Sequence, residues 1–334
     1  MPELAEVEFF RRRWWEAGAR ETVRSAGVWA RSRVFRGLKK EFTGGVKALE
    51  KILTGARMAE SGTFGKQMWF GFEVAEGTAA KKRRRAGGSA PYPRRLWLGI
   101  HLGMTGALRV EGPNYVAQKH DALVMRLAKR TLVFNDPRQF GRVRTWVAEE
   151  QTPRRGVPIQ RISTQRVPTQ RGSAERDEYQ ARPPWLRNLP AAILSPEFTP
   201  ERVRGVLARH GRAPLKAVLL NQKYFPGVGN WMADEILWRA ALPPGRRAGR
   251  TATLKIARAL TATIRRVTRD ALRVIAGAGR EIPSDLNVNI PDTWLFNHRW
   301  EDGGVCPKTK QPLRREEIGG RTTCWSPAWQ KVRG

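Results

Sequence analysis

Three short stretches combine residue types suited to gripping an anion or wedging into a stack of flat rings. In FPGVGNWMADE (225–235) a glycine-rich turn joins two helical patterns, with Asn230 placed to cap the second. A helix N-terminus of this kind presents unpaired N–H groups and a positive dipole end to an anion, and Gly227 and Gly229 would let a phosphate approach the backbone. An ordinary turn between packed helices gives the same pattern. In HLGMTG (101–106) His101 could donate to a phosphate, and Met104 sits in a turn from which an apolar side chain can enter a base stack. A structural His and a core Met are the alternatives. In NDPRQFGR (135–142) Arg138 and Phe140 together could fill the gap left by an extruded base, Arg pairing and Phe wedging. Otherwise this is an Asp-Pro turn whose Phe returns to the core.

The elements that must position these groups change character along the chain. MPELAEVEFF opens a helical pattern over residues 3–17, with Val7, Phe10 and Trp14 at helical spacing. Pro and Glu suit a first turn. Residues 66–75, 95–110, 121–134 and 141–148 are short, aromatic or β-branched, and punctuated by Gly or Pro, as strands are. From Thr199-Pro200-Glu201, a helix start, the period becomes helical. Val203, Val206 and Leu207 share one face. PLKAVLLNQ (214–222), WMADEILWRAA (231–241) and the amphipathic 254–279 follow. The last forty or so residues return to Gly, Pro and aromatic punctuation. The order is a β domain, a helical domain and a small terminal module.

Composition names the partner class. Of 334 residues, 62 are Lys or Arg against 30 Asp or Glu, a formal net charge of +32. That excess implies a polyanion, nucleic acid first. No apolar run approaches the roughly 20 residues of a spanning helix, and no signal peptide is evident. Two cysteines fit an intracellular, reducing compartment rather than a disulfide framework. The basic inserts 77–95, with the run Lys81–Arg85, and 150–190, where VPIQR (157–161) is echoed by VPTQR (167–171), read as mobile loop and linker.

Taken in order, the start, HLGMTG, KHDALV (119–124), NDPRQFG, PLKAVLLNQ, FPGVGNWMADE and GGRTTCWSPAWQ (319–330) resemble the formamidopyrimidine-DNA glycosylase/endonuclease VIII family of base-excision repair enzymes. The resemblance implies an α+β multidomain fold. Its parts are an N-terminal helix plus β-sandwich domain (1–150), a basic linker (151–190), a helix–two-turn–helix domain (191–290) and a terminal hairpin finger (291–334). It implies a bifunctional DNA glycosylase/AP lyase acting on damaged double-stranded DNA, as a monomer, with no cofactor and no membrane. A catalytically inactive lesion-binding protein is the rival. By the same resemblance, removal of the initiator Met exposes Pro2, whose amine attacks the sugar C1′, and Glu3 transfers protons. Lys66, in FGKQMWF, contacts the lesion phosphate and assists elimination. His101, Asn230, Arg321 and Lys216 are placed on phosphates. Met104, Arg138 and Phe140 fill the duplex void, and Glu235 has a supporting place near the site. Ala5 and Gln139 depart from the family's usual Pro and basic residue.

The finger departs most. Where the family commonly has four zinc-binding cysteines, this chain has Cys306, Thr309, Ser326 and Trp329, with Cys324 off the ligand positions. One ligand of four cannot hold zinc. The expectation is a zincless hairpin held by Trp300, Trp325 and Trp329, still delivering Arg321. The segment 280–300 lacks the glycine-rich character of the family's base-capping loop, leaving the lesion open, with oxidised bases the weak preference.

Overall fold

The structure is a computed structural model, described over residues 2–38, 45–74, 95–148 and 183–331. Residues 151–182 of the linker segment and most of the 77–95 insert lie outside the described residues, whereas 183–190 are described and carry a short 3-10 turn at Pro184–Leu186. The chain forms two compact units. The first comprises the described residues of Phe10–Thr63 and Gln67–Leu189; the second gathers Pro2–Phe9, Phe64–Lys66 and Pro190–Gly334. The sequence division places residues 1–150 in one domain. The fold instead assigns both Pro2–Phe9 and the turn carrying Lys66 to the helical unit, because their contacts are made there.

Unit one is built on two four-stranded sheets, ordered β1-β6-β7-β5 and β2-β3-β4-β8. In chain order the strands are β1 (Ser25–Val28), β2 (Arg57–Phe64), β3 (Gln67–Glu73), β4 (Arg95–His101), β5 (Ala107–Glu111), β6 (Asp121–Arg126), β7 (Thr131–Asn135) and β8 (Arg142–Ala148). Two of the expected strand stretches each hold two strands, which belong to different sheets in the first and pair antiparallel in the second. Residues 95–110 hold β4 and β5 around HLGMTG, and 121–134 holds β6 and β7. The strands β1 and β2 and the short helix α2 (Gly45–Leu53) add elements that sequence reasoning missed. Helix α1 (Leu4–Gly18) inserts Trp14 between the sheets: its ring packs on Phe70 of β3 at 5.2 Å, and its Nε1 donates to the Arg109 carbonyl of β5 at 3.0 Å. Gly18 ends the helix where a Cβ would meet Leu132 of one sheet at 3.0 Å and Met58 of the other at 3.3 Å.

Unit two holds α3 (Pro200–Arg209), α4 (Leu215–Leu219), α5 (Asn230–Arg239) and α6 (Leu254–Ile275), then the hairpin of β9 (Arg314–Glu317) and β10 (Thr322–Trp325). Thr199 caps α3 as expected, its hydroxyl accepting from the Arg202 N–H at 3.2 Å. Val203, Val206 and Leu207 are buried against α6, which contributes Leu260, Ile264 and Val267. Helix α6 stops at Ile275, and Gly277, at φ +61, takes the left-handed conformation that ends helices.

Candidate active site and nucleic-acid interface

Glu3 organises the second unit's site. It precedes the first residue of α1, and three residues on Glu6 reaches back: Glu6 Oε2 accepts the Glu3 N–H at 3.2 Å. That is one half of a capping box. It releases the Glu3 side chain, which caps a different helix. Its Oε2 accepts from the N–H groups of Gly229 at 2.9 Å and Met232 at 3.1 Å, and its Oε1 from Trp231 at 2.9 Å. These are the orphan donors at the start of α5. Gly229 stands at the cap position without a side chain because a Cβ there would fall 2.2 Å from Glu3 Cδ. Gly227, at φ +92, likewise leaves room for Leu4, whose N–H donates to its carbonyl at 3.1 Å.

Two sequence expectations are therefore corrected. Asn230 does not cap α5. It is the first helical residue, and its Nδ2 donates to the Thr322 carbonyl at 3.0 Å. The glycines do not admit a phosphate either; the group seated on the helix N-terminus is the Glu3 carboxyl of this chain.

Burial pushes Glu3 up to about 8; the Glu6 charge adds to this, while Lys66 and the N–H donors of Trp231 and Met232 oppose it. Burial also raises Glu6, whose Oε1 accepts from Trp231 Nε1 at 2.8 Å. Lys66 occupies the turn between β2 and β3 after Gly65, which is left-handed at φ +58. A Cβ on Gly65 would come within 3.1 Å of the Gly227 nitrogen, so the turn rests on the loop that carries α5. Burial lowers the Lys66 ammonium; Glu3 and Glu6 oppose that and Arg321 reinforces it. Pro2 is half-buried directly before Glu3.

Arg321 stands exposed at the tip of the hairpin, where Gly319 (φ +63) and Gly320 (φ +73) supply the two left-handed residues of a tight turn closed by the Ile318 N–H on the Arg321 carbonyl at 3.0 Å. Lys216, expected on a phosphate, is instead fully buried. Its Nζ is used up by Asp234 at 2.7 Å, the Thr322 carbonyl at 3.0 Å and Thr323 Oγ1 at 2.8 Å. Lys216 and Asn230 thus grip the same carbonyl, next to Arg321, and fix the hairpin tip. Asp234 also accepts from Arg299 at 2.6 Å and from the Cys324 N–H at 3.2 Å. Glu235 is buried, accepting from Arg239 at 2.7 Å and the Phe296 N–H at 3.2 Å, so its support is to the segment 280–300.

The four positions matching the family's zinc ligands converge without offering a metal site. Trp238 Nε1 donates to Cys306 Sγ at 3.4 Å. Burial would raise that thiol, but the polar groups of Ser326, Thr309 and Trp238 beside it lower it to about 7. Trp329 completes a core with Trp238, Leu295, Cys306, Leu313 and Cys324. One thiol, two hydroxyls and an indole do not fit zinc, and no cluster of three or more His, Cys, Asp or Glu occurs among the described residues. Of the three tryptophans expected to hold the hairpin, only Trp329 enters its core. Trp300 is 53% exposed, packing on Phe296, and Trp325 donates outward to Glu316 at 2.7 Å. Trp238 of α5 supplies the missing ring.

In the first unit, His101, Met104, Arg138 and Phe140 lie on two loops joined backbone to backbone. Gly103, at φ +65, would place a Cβ 2.4 Å from the Phe140 carbonyl carbon. Asp136 ties the pair together, its Oδ1 accepting from Thr105 at 3.2 Å and its Oδ2 from the Gly141 N–H at 2.7 Å. Met104 is 41% and Phe140 54% exposed, so neither is a core residue, and the Arg138 guanidinium covers the Phe140 ring at 4.9 Å. His101 Nδ1 accepts from the Gly103 N–H at 3.1 Å, which leaves the ring proton on Nε2 as a donor. Gln139, at φ +53, accepts from the Arg33 N–H at 2.9 Å. Sequence reasoning missed Asp121 of KHDALV. It accepts from Arg109, Tyr115, the Gln118 N–H and Asn135 at 2.7–2.9 Å, and through Asn135 it holds the start of the NDPRQFG loop. Burial would raise Asp121, but these donors leave it below the usual carboxylate range.

A β-sheet unit presenting exposed Met, Arg and Phe on braced loops, and a helical unit in which an N-terminal carboxyl caps a helix, define a helix–two-turn–helix protein of the DNA-repair glycosylase class. The chain belongs to the formamidopyrimidine-DNA glycosylase family. Residues 1–143 match the Formamidopyrimidine-DNA glycosylase N-terminal domain, and residues 190–281 the Formamidopyrimidine-DNA glycosylase H2TH domain. The formamidopyrimidine-DNA glycosylase of Thermus thermophilus is 32% identical over 236 residues, 69% of this chain and 73% of that one. That of Parasynechococcus marenigrum is 27% identical over 338 residues, 99% of this chain and all of the other. Among solved structures, Lactococcus lactis Fpg in complex with DNA containing an abasic site shares the fold at a TM-score of 0.68 and 21% identity, over 98% of this chain and 99% of that one.

Proposed function

We propose that the protein is a bifunctional glycosylase/AP lyase acting on damaged bases in duplex DNA, with Pro2 as nucleophile once Met1 is removed. Relatives in the family are formamidopyrimidine-DNA glycosylases, and solved neighbours are complexes with lesion-containing DNA. The observation that carries the reading is the Glu3 carboxyl, seated on three N–H groups of α5 beside Pro2 and Lys66. An α-amino group titrates near neutral pH, so Pro2 has a usable lone pair. Its nitrogen bonds to C1′ of the damaged nucleotide as the C1′–base bond breaks and the base leaves with a proton. Glu3, protonated at neutral pH by its burial, donates to the sugar ring oxygen as the ring opens, leaving an iminium. The iminium acidifies the neighbouring C–H bonds, and successive β- and δ-eliminations expel the two phosphates. Lys66, with its ammonium lowered, and Arg321 supply positive charge where those phosphates depart.

The test is borohydride trapping of the Met-free protein on duplexes carrying an oxidised purine, an oxidised pyrimidine or an abasic site. The expected result is a covalent adduct that an N-terminal tag abolishes. No adduct on any duplex would overturn the lyase reading and favour an inactive lesion-binding protein.

A further inference from the structure

Helix α6 carries six basic residues and one acid over Leu254–Ile275. Arg265 turns inward, donating to the Ile193, Ser195 and Phe198 carbonyls at 2.8–3.3 Å. The acid, Asp270, is taken by Arg239 at 2.7 Å. The other five, Lys255, Arg258, Arg266, Arg269 and Arg273, are exposed and have no ion-pair or hydrogen-bond partner among the described residues. At 100° per residue they fall within a stripe about 80° wide and about 27 Å long. The buried residues Ala257, Leu260, Ile264, Val267 and Ala271 lie on the opposite face.

Folding does not ask for this arrangement. Like charges three and four residues apart destabilise a helix, and Lys255 stands in the first turn, where the dipole disfavours a cation. The stripe also contains none of the residues that build the site. Glu3 caps the N-terminus of α5, whereas the contact tying α5 to α6 here, Arg239 to Asp270, is at the C-terminal end of α5.

We propose that this stripe is a second duplex-DNA surface, which grips the phosphate backbone of an undamaged segment while the lesion site is occupied. A length of about 27 Å spans several phosphates of one strand. The exposed positions between the cations are Ala259 and Ala262. With Leu254, 36% exposed at the helix start, they offer one large apolar side chain and two methyl groups, too little to anchor in a lipid surface, so charge complementarity points to a phosphate backbone.

The notion of a second segment rests on the lesion reading above, and the experiment separates the two. Full-length protein and the variant K255A/R258A/R266A/R269A/R273A are bound to an immobilised short lesion duplex. Capture of a fluorescent undamaged duplex is then measured against salt, with single-stranded RNA and anionic vesicles as competitors. Wild type should capture the second duplex, the variant at least ten-fold less, with a salt slope shallower by about 3–4. Cleavage of the short lesion duplex should be the same for both. Equal capture and slope, or displacement by RNA or vesicles in preference to duplex DNA, would overturn the proposal. Lesion cleavage absent in both proteins would sink the glycosylase reading instead.

Discussion

Glu3 shows how a residue can read plainly in sequence and yet take its chemistry from elsewhere. Its place behind Pro2 is visible in the first three letters, but its protonation is set by burial and by Glu6, brought beside it by one helical turn. Because the Glu6 charge raises Glu3, Glu6→Gln should lower it. The falling limb of the single-turnover rate, expected near pH 8 in the parent, should then move toward neutrality. A limb that does not move would assign the titration to another group. The same shift bears on stability. A carboxyl raised from 4.5 to about 8 stabilises the fold fully below 4.5, and that contribution is lost as pH rises through 8. Glu3→Gln should therefore flatten the fall of Tm between pH 5 and 9. Gly229→Ala would put a Cβ 2.2 Å from Glu3 Cδ. Displacing the carboxyl by about an ångström should cost about 100-fold in rate, read by single-turnover cleavage alongside an unfolding curve.

At the level of elements, the hairpin and the two paired loops are held by different physics. The hairpin is docked by buried polar groups and a small aromatic core. Trp329→Ala, by emptying part of the core around Cys306, should destabilise by about 3 kcal/mol or more. A chelator should leave the melting curve unchanged, since one thiol with two hydroxyls is no zinc site. A chelator-sensitive transition would refute the zincless reading. The loops bearing Met104 and Phe140 behave oppositely. Their exposed side chains contribute little to folding, so Met104→Ala and Phe140→Ala should move stability by no more than about 0.5 kcal/mol. Both should slow excision on duplex lesions, measured against the same lesion in single-stranded DNA, where there is no void to fill.

Over the whole molecule, a net charge of +32 is far more than one binding face uses. Binding to undamaged duplex should weaken steeply with salt, with the five-alanine variant removing a measurable part of the slope. The two units divide the work in an order the chain does not follow. Pro2, Glu3 and Lys66 are distant in sequence from α5 and β10, yet belong to the unit those elements build.

The sequence by itself determined the polyanionic partner, most of the helical and β segments, and the ordered motifs that mark the family. It also determined that the finger's four matching positions hold one thiol, because ligand chemistry is a matter of residue identity. Helix starts such as Thr199 were legible because capping is local. Only the tertiary structure decided that Glu3 rather than Asn230 caps α5, that Lys216 is buried beneath the hairpin, and that Trp238 rather than Trp300 completes the finger core. Each depends on groups between about 65 and 230 positions apart. No local pattern records which of two polar side chains reaches a helix end first, or whether a lysine in a basic chain faces water or a buried aspartate.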